Sequence, residues 1–290
     1  MDKFCIVTES TADLTPALVD RFDITVIPMR FSFGDKEYYN YPDNRELSSN
    51  AFYQMLREGH VSTTTAINMS QFEETFVPIL ERGEDILYLG FSSGLSSTFG
   101  TAVMISEQLK ERYPQRQIVV IDTLAASMGE GLLVCLAAEK KRRGASLSEV
   151  ADWVRAHIFK LCHWFTVDDL MYLYRGGRVN ALAAHVGTAF NIKPILHVDN
   201  EGHLIPVSKV RGRKQSIEML ADKIGELGTD ISKQMIFIGH AEADDAAQLL
   251  ADMINKRFSP KEIQIAAIGP VVGSHTGPGL VSVYFLGNRR

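Results

Sequence analysis

The chain has 290 residues, 46% of them apolar and 22% charged, with a formal net charge of −5. So much apolar surface excludes a disordered chain, and the longest apolar runs, such as Leu132 to Ala138, fall well short of the ~20 residues a membrane span needs. The acidic balance argues against nucleic acid as the main partner. Three dispersed cysteines, Cys5, Cys135 and Cys162, lack any C-x-x-C spacing, which predicts free thiols in a reducing compartment and no disulfide framework or metal site.

The opening MDKFCIV has no signal-peptide architecture, so a cytoplasmic location is expected. Phe4 to Val7 is a short apolar run that opens onto Thr8-Glu9-Ser10-Thr11-Ala12-Asp13. This predicts a buried strand, a polar turn and a helix capped by Ser10 or Thr11. Ile24 to Phe33 alternates like one or two strands, Leu47 to Glu58 has helical spacing, and Ser62 to Thr65 reads as a hydroxyl-rich loop. A helix is predicted from Phe72 to Arg82, with Pro78 a warning inside it. Asp85 to Phe91 reads as a buried strand that runs into Ser92-Ser93-Gly94-Leu95-Ser96-Ser97-Thr98, then a helix to about Arg112. Gln117 to Asp122 is a further strand, and Ala125 to Arg143 and Leu147 to Phe159 are helices. This alternation predicts an α/β domain with a parallel sheet over residues 1–164. Ligands in such sheets sit beyond the carboxyl ends of the strands, where the turns after Val7 and Phe91 lie.

The remaining residues, 165–290, have a different texture and predict a second α/β domain with a mixed sheet. Leu196 to Val207 reads as a hairpin turning at Asn200-Glu201-Gly202. Ser216 to Glu226 and Ala243 to Phe258 read as helices on one face, and Gln234 to His240, Glu262 to Ile268 and Val281 to Leu286 as strands. Charge follows the division: residues 1–165 carry 16 basic against 22 acidic side chains, and residues 166–290 carry 14 against 13. Seven of those basic residues fall within 175–214, which suggests an anionic ligand or an acidic partner surface.

Four clusters could carry chemistry. The first, Gly90 to Thr98, places hydroxyls and unpaired N–H groups at a helix start, an anion-binding arrangement, with ordinary capping by Ser96 or Ser97 as the plainer account. It also spells G-x-S-x-G, so a serine hydrolase using Ser92 with the downstream His275 is the alternative function. The second, Tyr172 to Arg178, sets Arg175 and Arg178 around a Gly pair, able to fork onto a carboxylate or phosphate, or to pair with Asp168 and Asp169. The third, Lys209 to Lys214, is basic but lacks interleaved aromatics. The fourth, Gly273 to Gly279, sets His275 among glycines and predicts an accessible imidazole that donates to an oxyanion or shuttles a proton. The other histidines, His60, His157, His163, His185, His197, His203 and His240, have no ligand spacing. Neither a P-loop nor a dinucleotide fingerprint is present, which disfavours a cofactor-dependent enzyme.

In this order the clusters resemble the DegV family of bacterial fatty-acid-binding proteins, over essentially the whole chain. The likeness runs through Ile6 to Leu14 (the family usually has Asp at the place of Glu9), Thr64-Thr65, Ser92 to Thr98 and Asp122-Thr123 with Ala126-Ser127-x-Gly129. It continues in Asp168 to Leu170, Arg175 to Val179, Lys193-Pro194, Lys209 to Lys214 and Gly269 to Gly279. The resemblance implies a non-enzymatic, two-domain carrier of one long-chain fatty acid. Its tail would lie in an apolar tunnel, and its carboxylate would meet Thr64, Ser93, Gly94 and Ser96 with His275 close by. It further implies a partner fatty acid kinase that phosphorylates the presented carboxyl for lipid synthesis, with Arg175 and Arg211 facing the kinase or the phosphoryl group. No cofactor, metal, nucleic acid or integral membrane association is implied. The family's usual Thr-Ser-Gln-Pro-Ser loop reads here Thr64-Thr65-Ala66-Ile67-Asn68, so the first hydroxyl is kept and the Gln and Pro are lost; a one-residue slip would substitute Thr63 or Thr65 for Thr64.

Overall fold

The computed structural model describes residues 3–180 and 191–290. Strands β1 (Phe4–Glu9), β2 (Ile24–Ile27), β6 (Asp85–Gly90) and β7 (Ile118–Asp122) form a parallel sheet in the order β2-β1-β6-β7. Every residue of β6 is buried, as its unbroken apolar run requires of a strand covered on both faces. The carboxyl ends of β1, β6 and β7 bring Glu9, Gly90 and Asp122 to one edge. No α-helix follows β1 directly: Ser10–Ala12 makes a single 3-10 turn, and the helix Pro16–Phe22 is capped instead by Thr15. Proline at the start of that helix gives up no hydrogen bond there, which favours the later start.

A second sheet was not foreseen. The alternating stretch Ile24 to Phe33 breaks at Pro28, and its second part, β3 (Met29–Phe33), pairs antiparallel with β4 (Lys36–Asn40) and β5 (Ser62–Thr65). The hydroxyl run predicted as a loop is therefore an edge strand. The helix Met69–Glu81 runs through Pro78, which is exposed, so the carbonyl it leaves unpaired faces water.

Six strands make the mixed sheet of the second half: β8 (Leu161–Thr166), β9 (Ile192–Val198), β10 (Leu204–Arg211), β11 (Met235–His240), β12 (Glu262–Ala267) and β13 (Val281–Leu286), in the order β10-β9-β8-β13-β11-β12. A division after residue 164 falls inside β8. The helices Arg213–Leu227 and Asp244–Phe258 share one apolar core with this sheet. The opposite face meets the helix Met128–Arg142, which also packs on β1 and β6. That helix is buried from Met128 to Cys135 without interruption, as a helix held between two sheets must be, and the stretch is apolar but for Glu130. It approaches closely because Gly129 carries no side chain: a Cβ there would sit 2.2 Å from His163 Nε2. Among the described residues, no helix is long and apolar enough to cross a membrane.

Candidate functional site

The serine-rich turn after β6 and the hairpin between β9 and β10 meet tip to tip. Ser92, fully buried, donates its hydroxyl to the Gly202 carbonyl at 2.8 Å and accepts the Gly94 N–H at 3.2 Å. A Cβ on Gly94 would lie 2.8 Å from the Glu201 carbonyl oxygen, so only glycine lets the hairpin seat there. Ser92 thus joins the two halves of the protein, and His275 bonds elsewhere. The nucleophile-elbow reading falls on that geometry, because the hydroxyl is enclosed and paired with main chain.

Thr64 Oγ1 and His275 Nε2 lie 2.9 Å apart. Pairing of β5 with β3 sets Thr64 opposite Phe31, and alternation along the strand leaves Thr63 and Thr65 exposed while Thr64 is half-buried. Thr63 instead meets Ser32 at 2.9 Å. The departures from the family loop are absorbed locally. Ile67 is buried and donates its N–H to Thr98 Oγ1, and Asn68 caps the helix Met69–Glu81 in a reciprocal box with Gln71.

His275 was expected in an accessible turn. It stands instead near the end of a short helix, Pro270–Thr276, half-buried, with Nδ1 lacking any partner among the described residues. Burial, with Arg178 nearby, holds its pKa down at about 4, so the imidazole is neutral at pH 7. A Cβ on Gly176 would come within 2.3 Å of Nδ1, so the Gly176-Gly177 turn is what lets the arginine segment close over the ring.

That turn decides between the two arginines. Gly177, at φ +72°, reverses the chain and lays Arg178 over the serine turn, where Nε and Nη2 donate to the Leu95 carbonyl at 3.1 and 3.0 Å and Nη1 donates to the Gly176 carbonyl. Arg178 is partly buried and makes no ion pair among the described residues. Burial lowers its pKa, but a guanidinium remains a cation. Arg175 is exposed. Neither aspartate pairs with this segment: Asp168 takes Lys193 at 2.5 Å and Arg213 at 3.8 Å, and Asp169 caps Met171.

Around Thr64, Arg178 and His275 lie two cavities that share these three residues as a common wall. The inner one, about 270 Å³, is otherwise mostly apolar, with Met29, Leu95, Leu173, Leu204 and Val271, and Ser96 and Thr11 as further hydroxyls. A small apolar extension of about 40 Å³ continues it past Val272 and Leu204 to Phe165, Val198 and Leu280. The outer cavity, about 310 Å³, is more polar and includes His60, Ser62, Tyr172 and Arg175. Ser96 also accepts the Thr98 N–H at 3.2 Å, so it caps the helix Thr98–Arg112 while facing the cavity.

Of the residues singled out from sequence, the structure brings Thr64, Ser96 and His275 together. Ser93 is exposed and points its N–H at Asp122, Gly94 supports the hairpin, and Arg211 is exposed at the end of β10; none of these three lines either cavity. Of the two arginines that the sequence offers around the double glycine, Arg178 lines both cavities and Arg175 only the outer one. His185 lies outside the described residues.

An arrangement of neutral hydroxyls, a neutral imidazole and a guanidinium with no acidic partner among the described residues, in the wall of a mostly apolar cavity, suits a ligand with an anionic head and an apolar tail. The family model described as an uncharacterised protein of the DegV family matches residues 3–288. A DegV domain-containing protein of Clostridium perfringens is 41% identical over 290 residues, covering 100% of this chain and 99% of its own. A DegV lipid-binding protein from Thermotoga maritima superposes with TM-score 0.87 at 30% identity, covering 99% of each chain. A DegV family protein from Thermus thermophilus, described by its fatty acid binding, superposes with TM-score 0.89 at 28% identity, covering 98% of this chain and 99% of that one. Both solved relatives are described by what they bind, a lipid in one and a fatty acid in the other.

Proposed function

Since the chain belongs to the DegV family, we propose that it binds one long-chain fatty acid, head group at the wall shared by the two cavities and tail in the inner one. The observation that carries this reading is Arg178, a partly buried cation without an acidic partner among the described residues, set beside Thr64 and His275 where the apolar cavity begins. A carboxylate there gains charge-assisted hydrogen bonds from the free guanidinium hydrogens and from Thr64, and from Ser96 once its hydroxyl turns away from Thr98 Oγ1, to which it donates at 3.0 Å. The tail contributes about 0.8 kcal/mol per buried CH₂, so it dominates affinity while the head fixes orientation. Lengthening beyond the inner cavity would open the extension toward Phe165 and Leu280.

The same geometry supports presentation of the head group to a partner fatty acid kinase. The outer cavity reaches the head from the solvent side, and Arg175 stands in it as a second cation suited to a phosphoryl group. Arg211, exposed on β10, belongs to the basic surface a kinase would meet.

Native mass spectrometry of the purified protein, with denaturing release of anything bound, tests the ligand directly. A stoichiometric adduct with the mass of a long-chain fatty acid is expected. A protein that carries none and also refuses added palmitate and oleate would overturn the reading.

A further inference from the structure

Two carboxyls behind the inner cavity have no part in the proposed binding. Glu9 ends β1 and Glu130 stands in the first turn of the helix Met128–Arg142, and both are fully buried. Glu9 Oε1 accepts the Phe91 N–H at 2.7 Å; its Oε2 has no close hydrogen-bond partner among the described residues, while the Tyr88 and Thr11 hydroxyls stand near enough to favour the ionised form. The charged groups acting on the pair are Asp13, from the turn after β1, and Asp122, from the end of β7; both are acidic. Tyr88, on β6, interacts with both carboxyls, and His163 and Tyr284 pack from the mixed sheet against Gly129, next to Glu130.

Counting hydrogens at Thr8 locates a proton. Thr8 Oγ1 is 2.9 Å from the Leu89 carbonyl oxygen and 2.8 Å from Glu130 Oε1. A threonine hydroxyl has one hydrogen, and a carbonyl only accepts. If Thr8 donates to Leu89, the second contact needs its hydrogen from Glu130. Thr11 Oγ1, 3.3 Å from Glu130 Oε2, then donates to the other carboxyl oxygen, and each hydrogen is used once. An ionised Glu130 would leave two acceptor oxygens facing each other in the interior, a costly arrangement.

We propose that Glu130 keeps its proton at neutral pH and donates it to Thr8, and that Glu9 takes up a proton when an anionic head group enters the inner cavity, linking ligand binding to proton uptake. The linkage rests on the binding reading above. It follows from shared walls: Thr11, which holds Glu130, and Phe91, whose N–H holds Glu9, both line that cavity. Arg178 lines it too, so an arriving carboxylate cancels the positive charge there and thereby disfavours a charged Glu9. Burial pushes both carboxyls upward; the Asp122 charge adds to this at Glu9 and the Glu9 charge adds to it at Glu130, which leaves Glu9 poised to respond.

Calorimetric titration with monomeric oleate at about pH 7.5, in two buffers of different ionisation enthalpy, reads the linkage; infrared spectra of the empty protein read the resting proton. Wild type is expected to take up about half a proton per ligand, as for a group near neutrality whose pKa rises by about one, and Glu9→Gln to bind with that uptake lost. A protonated-carboxyl band is expected near pH 7 in wild type and is expected to be smaller in Glu130→Gln, where only the share owed to Asp13 and Glu9 remains; in wild type the Glu130 share should outlast the other two as pH rises, a measurement that needs no variant. Oleate binding without buffer dependence, or uptake unchanged in Glu9→Gln, overturns the linkage and leaves the ligand reading standing. Absence of oleate binding overturns the ligand reading and the linkage with it, and the infrared band then still decides the proton on Glu130. Absence of that band, or a band no smaller in Glu130→Gln, overturns the resting proton.

Discussion

Replacing Asp13 by Asn should make the protein more stable at neutral pH while leaving its acid stability nearly unchanged. Asp13 is buried at the end of the first turn, where its carboxylate accepts the Ser127 hydroxyl at 2.6 Å and the Gly269 N–H at 2.9 Å. Those bonds favour the ionised form, but burial outweighs them and pushes the pKa from an ordinary 3.8 up to about 7. The folded state therefore holds this proton more tightly than the unfolded chain does. Stability is full below about pH 4, falls as pH rises through the interval, and is lost above about pH 7. At 1.36 kcal/mol per pKa unit, the loss is on the order of 4 kcal/mol, a large part of the ~5–15 kcal/mol a domain has. Asparagine preserves shape and tolerates the left-handed backbone, φ 49°, that Asp13 adopts. Urea denaturation of both proteins at intervals from about pH 4 to pH 8 measures the effect. The curves should start together and separate with rising pH, the variant the more stable. Parallel curves would mean that the hydrogen bonds, not burial, set the carboxyl's charge, and the reasoning would fail.

Other substitutions test the site. Thr64→Val keeps the strand and removes the hydroxyl facing His275, and should weaken fatty-acid binding about 10- to 100-fold, the worth of one charge-assisted hydrogen bond; calorimetry that finds unchanged affinity would remove Thr64 from the head-group site. Ser92→Ala should lower stability by about 1–3 kcal/mol through loss of the joint to Gly202, and a serine-reactive probe should leave wild-type Ser92 unlabelled; covalent labelling would revive the hydrolase. Arg211→Glu should leave acid affinity intact and slow phosphorylation by the kinase; equal loss of both would place that arginine at the ligand.

Much of the architecture was legible because burial leaves a mark on sequence. Strands β1, β6 and β7 are continuous apolar runs, the pattern of strands covered on both faces, and the polar turns at their carboxyl ends declared where a ligand would sit. The hairpin announced itself through Asn200-Glu201-Gly202, and the helix Met128–Arg142 through its apolar length. Strand β5 left no such mark, since four hydroxyl residues in a row have no apolar period to read.

The sequence by itself determined which residue types would build the site: hydroxyls, glycines, one histidine and a pair of arginines. Only the tertiary structure decided which of them face one another. Pairing of β5 with β3 chose Thr64 over its neighbours, because a shift of one residue turns every side chain to the other face. The Gly176-Gly177 reversal chose Arg178 over Arg175, and the hairpin tip took Ser92 as a joint, leaving Ser96 to the cavity. The direction of a side chain is fixed by partners far along the chain, and local composition carries no record of them.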